Sequence, residues 1–268
     1  MWHGVASTFS RKRANQNRVP SELSTLYGRP HSTRQANPLI LTTCAFRRVP
    51  FSKMQSRSGM LQGVRVIELA TVIAAPTCAA LLCDMGAEVI KIEVPEGDSF
   101  RYLGVNPKTK VNGITHEKWG IGFEQANRGK KSVVLQLKSV AGKENLLALL
   151  GTADVFITNV RPKAIEKLNL SYSRLKVMFP ALIYGHLTAW GLGGPEEDDP
   201  GYDAGAFWAA SGYMKYATPN DLPSTPCPRF VGGSGDQNTC MHLLAGILGA
   251  LYYRKNTGRG QFVEATLY

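Results

Sequence analysis

The chain has 268 residues, 44% of them hydrophobic, enough for one large or two modest domains with a core. Its net charge of +11 arises mostly from residues 1–60, which hold ten Lys or Arg residues and one acid. Residues 61–268 hold 21 basic and 19 acidic residues, so nucleic-acid binding loses its main support. No apolar run reaches the roughly 18 residues that a membrane helix needs.

Residues 1–58 form a basic leader that is rich in Arg, Ser and Thr and poor in acids. This composition predicts a disordered segment and is typical of a mitochondrial transit peptide rather than a secretory signal. The alternatives are a basic tail on a cytoplasmic protein, or an upstream extension with Met54 or Met60 as the true start. We therefore expect a mitochondrial protein whose folded domain covers residues 61–268.

The folded part alternates predicted strands with predicted helices. The strands are predicted at 64–69, 88–93, 131–137, 154–159, 181–188 and 261–267. The helices are predicted at 76–86, 141–151, 162–168 and 202–214, and from Asn238 or Thr239 to about 253. Long loops are predicted over 94–127 and from the residue after Met214 to Phe230. This alternation predicts a Rossmann-like, doubly wound α/β fold with a mostly parallel sheet and flanking helices.

The usual cofactor motifs of such a fold are missing. The turn after the first strand reads ATVIAAP and has no GxGxxG pattern, and GLGGP at 191–195 lacks the Lys and Ser/Thr of a phosphate loop. The cysteines and histidines show no ligand spacing, so no metal is expected. Five scattered cysteines favour reduced thiols in an intracellular compartment.

Asp236 is the strongest functional candidate. It ends the glycine-rich turn GGSGD, residues 232–236, directly before the long apolar helix. The glycines let the backbone bend and let a ligand approach closely. The unpaired N–H groups of the first turn and the helix dipole favour a negative charge. We expect Asp236 to stay ionised at neutral pH as a nucleophile or charge-pairing group; the alternative is that it only caps the helix.

Eight segments, taken together and in this order, resemble the class III CoA-transferases, a family that also includes acyl-CoA racemases. The segments are LQGVRVIELATVIAAP, LLCDMGAEVIKIEVPEGDSFR, NRGKKSVVLQLK, ADVFITNVRPKAIEKLNL, ALIYGHLTAWGLGGP, PGYDAGAFWAASG, SGDQNTCMHLLAGILGAL and TGRGQFVEATL. The resemblance runs from Leu61 to Tyr268. It implies a large α/β domain whose smaller second domain is missing or incomplete, as in a C-terminally truncated chain.

The resemblance implies that Asp236 is a covalent carrier. The carboxylate would take CoA from an acyl-CoA thioester, through a mixed anhydride and an aspartyl-CoA thioester, and pass it to a free carboxylic acid. The backbone N–H groups near Gly233, Gly235 and Gln237 are expected to stabilise the oxyanion. Coenzyme A is then a substrate, with no tightly bound cofactor. The partner is a small, dicarboxylic or aryl acid.

The resemblance also implies a set of CoA contacts, mostly from loops after the strands. They fall on Thr71, Val72, Ile73, Ala74, Arg101, Leu135, Lys138, Asn159, Val160 and Lys167. Ile73 stands where formyl-transferring relatives carry glutamine, which disfavours formyl transfer. Val94 stands where a basic residue grips the nucleotide, so that contact is absent or is made elsewhere.

Tyr202 distinguishes transfer from racemisation. Racemases of the family carry a histidine immediately before the aspartate of the PGYD segment, 200–203, as one of two acid/base groups. A tyrosine, with an ordinary pKa of about 10, suits that task poorly. We therefore assign Tyr202 to the substrate pocket and favour transfer over a 2-methylacyl-CoA racemase. A third hypothesis is a truncated, non-catalytic CoA-binding paralogue. The family also implies an interlocked homodimer.

Overall fold

The computed structural model describes residues 41–42, 59–103, 110–111, 114–115, 120–218 and 232–268. The chain divides into Met1–Pro38 and Leu39–Tyr268, and all described residues belong to the second unit. Apart from Leu41–Thr42, the predicted leader lies outside the described residues. Residues 219–230 of the predicted loop after Met214 also lie outside them.

The described residues form nine strands and seven α-helices. The strands are β1 (Leu41–Thr42), β2 (Arg65–Leu69), β3 (Glu88–Glu93), β4 (Lys110–Val111), β5 (Ile114–Thr115), β6 (Lys131–Val134), β7 (Val155–Thr158), β8 (Ile183–Thr188) and β9 (Phe262–Thr266). The helices are α1 (Ala74–Asp84), α2 (Ile121–Asn127), α3 (Val140–Leu150), α4 (Pro162–Leu168), α5 (Tyr172–Met178), α6 (Tyr213–Tyr216) and α7 (Ser234–Thr257). A 3-10 turn covers Ser99–Tyr102, and a π-helical segment covers Asp203–Ala210.

Six strands form one parallel sheet in the order β6-β3-β2-β7-β8-β9, which confirms the predicted fold class. β1 adds to the β6 edge in the antiparallel direction, and β4 and β5 form a separate pair. The strand order reverses between β2 and β7. In doubly wound sheets, ligands bind beyond the carboxyl ends of the strands at this switch point.

Each face of the sheet carries its own apolar core, because successive side chains of a strand point to opposite faces. Val66 of β2 packs with Leu82 of α1 and Ile247 of α7 on one face. Ile67 packs with Leu146 of α3 on the other face, together with residues of α4 and α5. Full burial of an aliphatic side chain stabilises the fold by about 1.5–3 kcal/mol. The sheet is therefore a firm support for the loops at its carboxyl edge.

Several predicted elements need correction. α2 lies inside the segment predicted as a loop, and α5 was not predicted. The helix predicted over 202–214 is interrupted at Gly212, whose φ of 84° is left-handed and ends helical geometry. α1 begins two residues before Pro76, which is tolerated because first-turn N–H groups have no partner within the helix. No helix among the described residues is long and apolar enough to span a membrane.

Candidate active site

Asp236 lies within the first turn of α7 instead of preceding the helix. The predicted start at Asn238 or Thr239 is wrong, because α7 already begins at Ser234. Gly233 precedes the helix with a φ of 84°, a conformation that glycine adopts without strain. The helix can begin this early because another segment of the chain satisfies its free N–H groups.

Asp203 is the residue that caps α7. Its Oδ2 accepts a hydrogen bond from the Gly233 N–H at 2.8 Å, and its Oδ1 accepts from Gly235 at 2.6 Å and from Asp236 at 3.2 Å. A Cβ atom at Gly235 would lie 2.2 Å from the Phe207 ring and 2.5 Å from the Asp203 carboxylate. Only glycine therefore allows this approach. The capping role considered for Asp236 belongs to Asp203.

The predicted oxyanion donors are occupied in the structure. The N–H groups of Gly233 and Gly235 donate to Asp203, and the N–H of Gln237 donates to the Gly233 carbonyl at 2.9 Å. These three amides therefore already have acceptors in this conformation, and their role toward an oxyanion stays a prediction. The physical reason is the cap that Asp203 supplies from a distant segment.

Burial, followed by the nearby charge of Asp203, raises the pKa of Asp236 to about 6. The side chain belongs to a residue that is only 9% exposed. The sequence predicted that helix N–H groups would favour its charge. Asp203 takes those N–H groups instead and adds a negative charge beside Asp236, so the effect is reversed. A pKa of about 6 still leaves most Asp236 carboxyls ionised at pH 7.

Asp236 faces a cavity of about 410 Å³ at the switch point of the sheet. Seven predicted site residues line this cavity beside Asp236: Thr71, Val72, Ile73, Ala74, Asn159, Val160 and Tyr202. Thr71 and Asn159 join the loops that follow β2 and β7. The Thr71 N–H donates to Asn159 Oδ1 at 3.1 Å, and Asn159 Nδ2 donates to the Thr71 carbonyl at 2.8 Å. The structure thus brings most of the predicted set together.

A second cavity, of about 610 Å³, adjoins the first and shares Thr71, Val160 and Ala164 with it. The predicted Lys138 and Lys167 line this second cavity. Their ammonium groups suit the phosphates of an anionic ligand, because charge-assisted hydrogen bonds are the stronger ones.

Other residues of the second cavity extend the predicted set. Lys143, which the sequence reasoning missed, is a third basic residue in its lining. Lys143 could have been predicted, because it lies near the start of the helix after β6 and close to Lys138 in sequence. Val94 also lines this cavity; it occupies the position where the resemblance implied a basic residue that contacts the nucleotide.

Two predicted CoA contacts lie outside both cavities. Leu135 is 5% exposed and packs in the core, while its neighbours Gln136 and Leu137 line the second cavity. Arg101 pairs with Glu93 at 2.8 and 2.5 Å and stacks over the Phe123 ring at 4.1 Å. The structure does not support Arg101 as a phosphate ligand, because its guanidinium is committed to a buried carboxylate.

A third cavity, of about 330 Å³, lies beside the start of α7. Gly233 and Gln237, two of the predicted oxyanion donors, line this cavity with Ile73. Ile73 also lines the first cavity, so its side chain stands between the two spaces.

His186 is a member of the first cavity that had no role in the sequence reasoning. One of its ring nitrogens lies 2.9 Å from the Val160 carbonyl, and burial lowers its pKa. Among the described residues, no cluster of His, Cys, Asp and Glu is arranged to hold a metal ion.

The fold and the site define a class of protein: a doubly wound α/β domain with a buried carboxylate at its switch point and a lysine-lined cavity beside it. The family follows from comparison with known proteins. The family model described as CoA-transferase family III matches residues 61–268, and the chain belongs to this family.

Curated relatives and solved structures agree with this assignment. The chain is 40% identical over 214 residues to cinnamoyl-CoA:phenyllactate CoA-transferase of Clostridium sporogenes, covering 80% of this chain and 50% of that protein. It is 39% identical to (R)-2-hydroxy-4-methylpentanoate CoA-transferase of Clostridioides difficile, covering 78% and 51%. A CAIB/BAIF family protein from Brucella suis matches with a TM-score of 0.70 at 34% identity, covering 79% and 54%. The chain thus spans about half the length of the relatives it matches.

Proposed function

We propose that this chain carries the acyl-CoA site and the covalent carrier of a CoA-transferase, with Asp236 as the carrier. The observation that supports this proposal is the position of Asp236, a buried carboxylate at the wall of the switch-point cavity. A nucleophile in such a site needs to be ionised and poorly solvated. The pKa of about 6 keeps the Asp236 carboxyl mostly ionised at pH 7, and its burial keeps water away from it.

The proposed reaction is a double exchange at the Asp236 carboxyl group. The carboxylate attacks the thioester carbonyl, and the C–S bond breaks to give a mixed anhydride and CoA thiolate. The thiolate attacks the Asp236 carbonyl, which releases the first acid and leaves an aspartyl-CoA thioester. An acceptor carboxylate then repeats the two steps in reverse and leaves with CoA. Covalent catalysis divides one difficult exchange into accessible steps.

The two cavities suggest how acyl-CoA lies. The phosphates would contact Lys138, Lys143 and Lys167 in the second cavity. The pantetheine arm would pass the residues that both cavities share and bring the thioester to Asp236. This arrangement uses one anionic and one reactive end of the same substrate.

The names of two relatives supply the first acids to test. One relative is named for cinnamoyl-CoA and phenyllactate, and the other for (R)-2-hydroxy-4-methylpentanoate. Both acceptors are 2-hydroxy acids with an apolar side chain. We propose acids of this type as acceptors, ahead of dicarboxylic acids.

The deciding experiment traps the carrier. The protein is incubated with a panel of acyl-CoA thioesters, then with hydroxylamine, and the peptides are sequenced by mass spectrometry. Hydroxylamine converts an aspartyl thioester or anhydride into a hydroxamate, which we expect on Asp236 and not in Asp236→Asn. Asp84→Asn, a partly exposed carboxylate paired with Arg128, is the matched control and should label normally. CoA binding without any hydroxamate would contradict the carrier role.

A further inference from the structure

Four charged side chains lie in the protein interior beside the loop that follows β2. Glu68, Lys91, Asp98 and Lys130 are 0%, 1%, 1% and 7% exposed. Charged groups are removed from water at a large free-energy penalty unless partners compensate them. These four residues are named here the buried ion cluster.

The members of the buried ion cluster alternate in charge. Lys130 Nζ lies 2.6 Å from Glu68 Oε2, and Lys91 Nζ lies 2.8 Å from Glu68 Oε1. Lys91 Nζ also lies 3.0 Å from Asp98 Oδ2. Two ammonium groups therefore balance two carboxylates. Replacing a buried ion pair by apolar residues is often neutral or stabilising, so stability alone does not explain the cluster.

Three further hydrogen bonds of the cluster reach one stretch of backbone, residues 70–76, while others go to the Phe100 N–H and to Asn127 Oδ1. Lys91 Nζ donates to the Ala70 carbonyl at 2.7 Å, and Lys130 Nζ donates to the Pro76 carbonyl at 2.8 Å. Between these points, the Val72 N–H donates to Asp98 Oδ1 at 3.2 Å. The cluster thus holds both ends and the middle of this segment, which consists of the loop after β2 and the first turn of α1.

This loop needs such support because its backbone is strained. Val72 has a φ of 71°, in the left-handed region that a β-branched residue rarely adopts. Strained residues persist where the surroundings over-determine them, and they concentrate at ligand sites. Val72 lines the Asp236 cavity, so its strained shape is part of the surface that a ligand meets.

We propose that Lys91 and Lys130 are positioning residues, which Glu68 and Asp98 hold in place. Together the four residues fix the backbone of residues 70–76 in the shape that binds acyl-CoA. This inference rests on the proposed function for the identity of the ligand. The contacts that fix this backbone do not depend on which ligand binds. The cluster acts on binding because it contacts the loop, and not on Asp236, which lies on α7.

The test uses a charge-balanced double variant, Glu68→Gln with Lys130→Met, in the full chain. Hydrogen exchange followed by mass spectrometry should show faster exchange in peptides covering 70–77, with α4 peptides unchanged. The acyl-CoA concentration that gives half-maximal hydroxamate formation should rise about tenfold, with the saturating rate changed less than about threefold. Lys131→Met, at the neighbouring exposed lysine, is the matched control and should resemble the wild type.

Each outcome of this test decides the inference. Unchanged exchange in 70–77, or a half-maximal concentration within twofold of wild type, would overturn it. Faster exchange throughout the chain would show a general structural role and would also overturn it. If the double variant does not fold, Lys130→Met alone is compared with the wild type in the same two measurements, because it leaves Glu68 paired with Lys91. If the wild type neither labels nor binds CoA, the proposed function fails, and hydrogen exchange alone decides the loop-positioning role.

Discussion

Asp203 and Asp236 share one helix N-terminus but use it differently. Asp203 accepts three backbone N–H groups, so its charge is stabilised by the helix. The Asp236 carboxylate accepts none of these hydrogen bonds. Its pKa is raised by burial and by the nearby charge of Asp203. Two neighbouring carboxylates thus have unlike surroundings: Asp203 anchors the helix start, and Asp236 is the carboxylate that we propose as the nucleophile.

The first prediction concerns the pH dependence of acylation at Asp236. Only the ionised carboxylate attacks a thioester, so the labelling rate should rise with pH through about 6 and level off above 7. Asp203→Asn removes the neighbouring charge and should lower the pKa of Asp236, which moves the midpoint to lower pH. Rates of hydroxamate formation between pH 4.5 and 8 measure both midpoints. An unmoved midpoint in Asp203→Asn would show that the two carboxylates do not interact.

The second prediction concerns stability at the same residue. The pKa of Asp236 rises from 3.8 in the unfolded chain to about 6 in the fold. At about 1.4 kcal/mol per pKa unit, ionisation therefore destabilises the fold by roughly 3 kcal/mol above pH 6. This penalty is absent below pH 3.8 and grows as the pH rises to 6.

Asp236→Asn removes the charge and should raise the free energy of unfolding by ~1–3 kcal/mol at pH 8. The gain should shrink towards zero near pH 4, because the wild-type carboxyl is then protonated. Urea unfolding at both pH values measures the difference. A variant that is less stable than wild type at pH 8 would show that the buried charge is better compensated than its surroundings indicate.

At the scale of elements, the start of α7 depends on close packing at Gly235. An alanine there would place its Cβ 2.2 Å from Phe207 and 2.5 Å from the Asp203 carboxylate. Gly235→Ala should therefore reduce the free energy of unfolding by ~1–3 kcal/mol and displace the Asp203 cap. Urea unfolding measures this loss, and hydroxamate formation should slow with it.

Gly249→Ala is the matched control for this prediction, in the same helix. No atom lies within 4 Å of a Cβ placed at Gly249, which is exposed. Alanine there should stabilise α7 by ~1 kcal/mol, the helix-propensity difference between the two residues. Equal effects at the two positions would contradict the role of Asp203 and Phe207 contacts at the helix start.

The strands of the parallel sheet could be predicted because buried apolar runs and the βαβ alternation are local signals. The start of α7 could not, because its cap, Asp203, lies 33 residues from Asp236 and acts only in the folded chain. The ion pair of Arg101 with Glu93 could not be predicted for a similar reason, since Glu93 is identified as a partner by burial and not by sequence pattern. The core position of Leu135, directly before two residues that line the second cavity, was not evident from the sequence either.

At the scale of the whole molecule, charge is divided unequally along the chain. Residues 1–60 carry ten basic residues and one acid, while residues 61–268 are nearly neutral. We predict that residues 1–58, fused to a fluorescent protein, direct it to mitochondria. A matched fusion with Arg11, Lys12 and Arg13 changed to glutamine should lose this targeting. A diffuse cytoplasmic signal from the unaltered fusion would contradict the transit-peptide interpretation.

The wall that the two large cavities share has a consequence for rate. Thr71, Val160 and Ala164 belong to both spaces, so one ligand with two ends can occupy them together. Under the proposed function, binding of the nucleotide end would present the thioester to Asp236 as a tethered group, at an effective concentration of millimolar or above. A short thioester without a nucleotide would have to reach the same carboxylate by diffusion. The lysine-lined cavity would then accelerate a reaction at an atom that it does not contact.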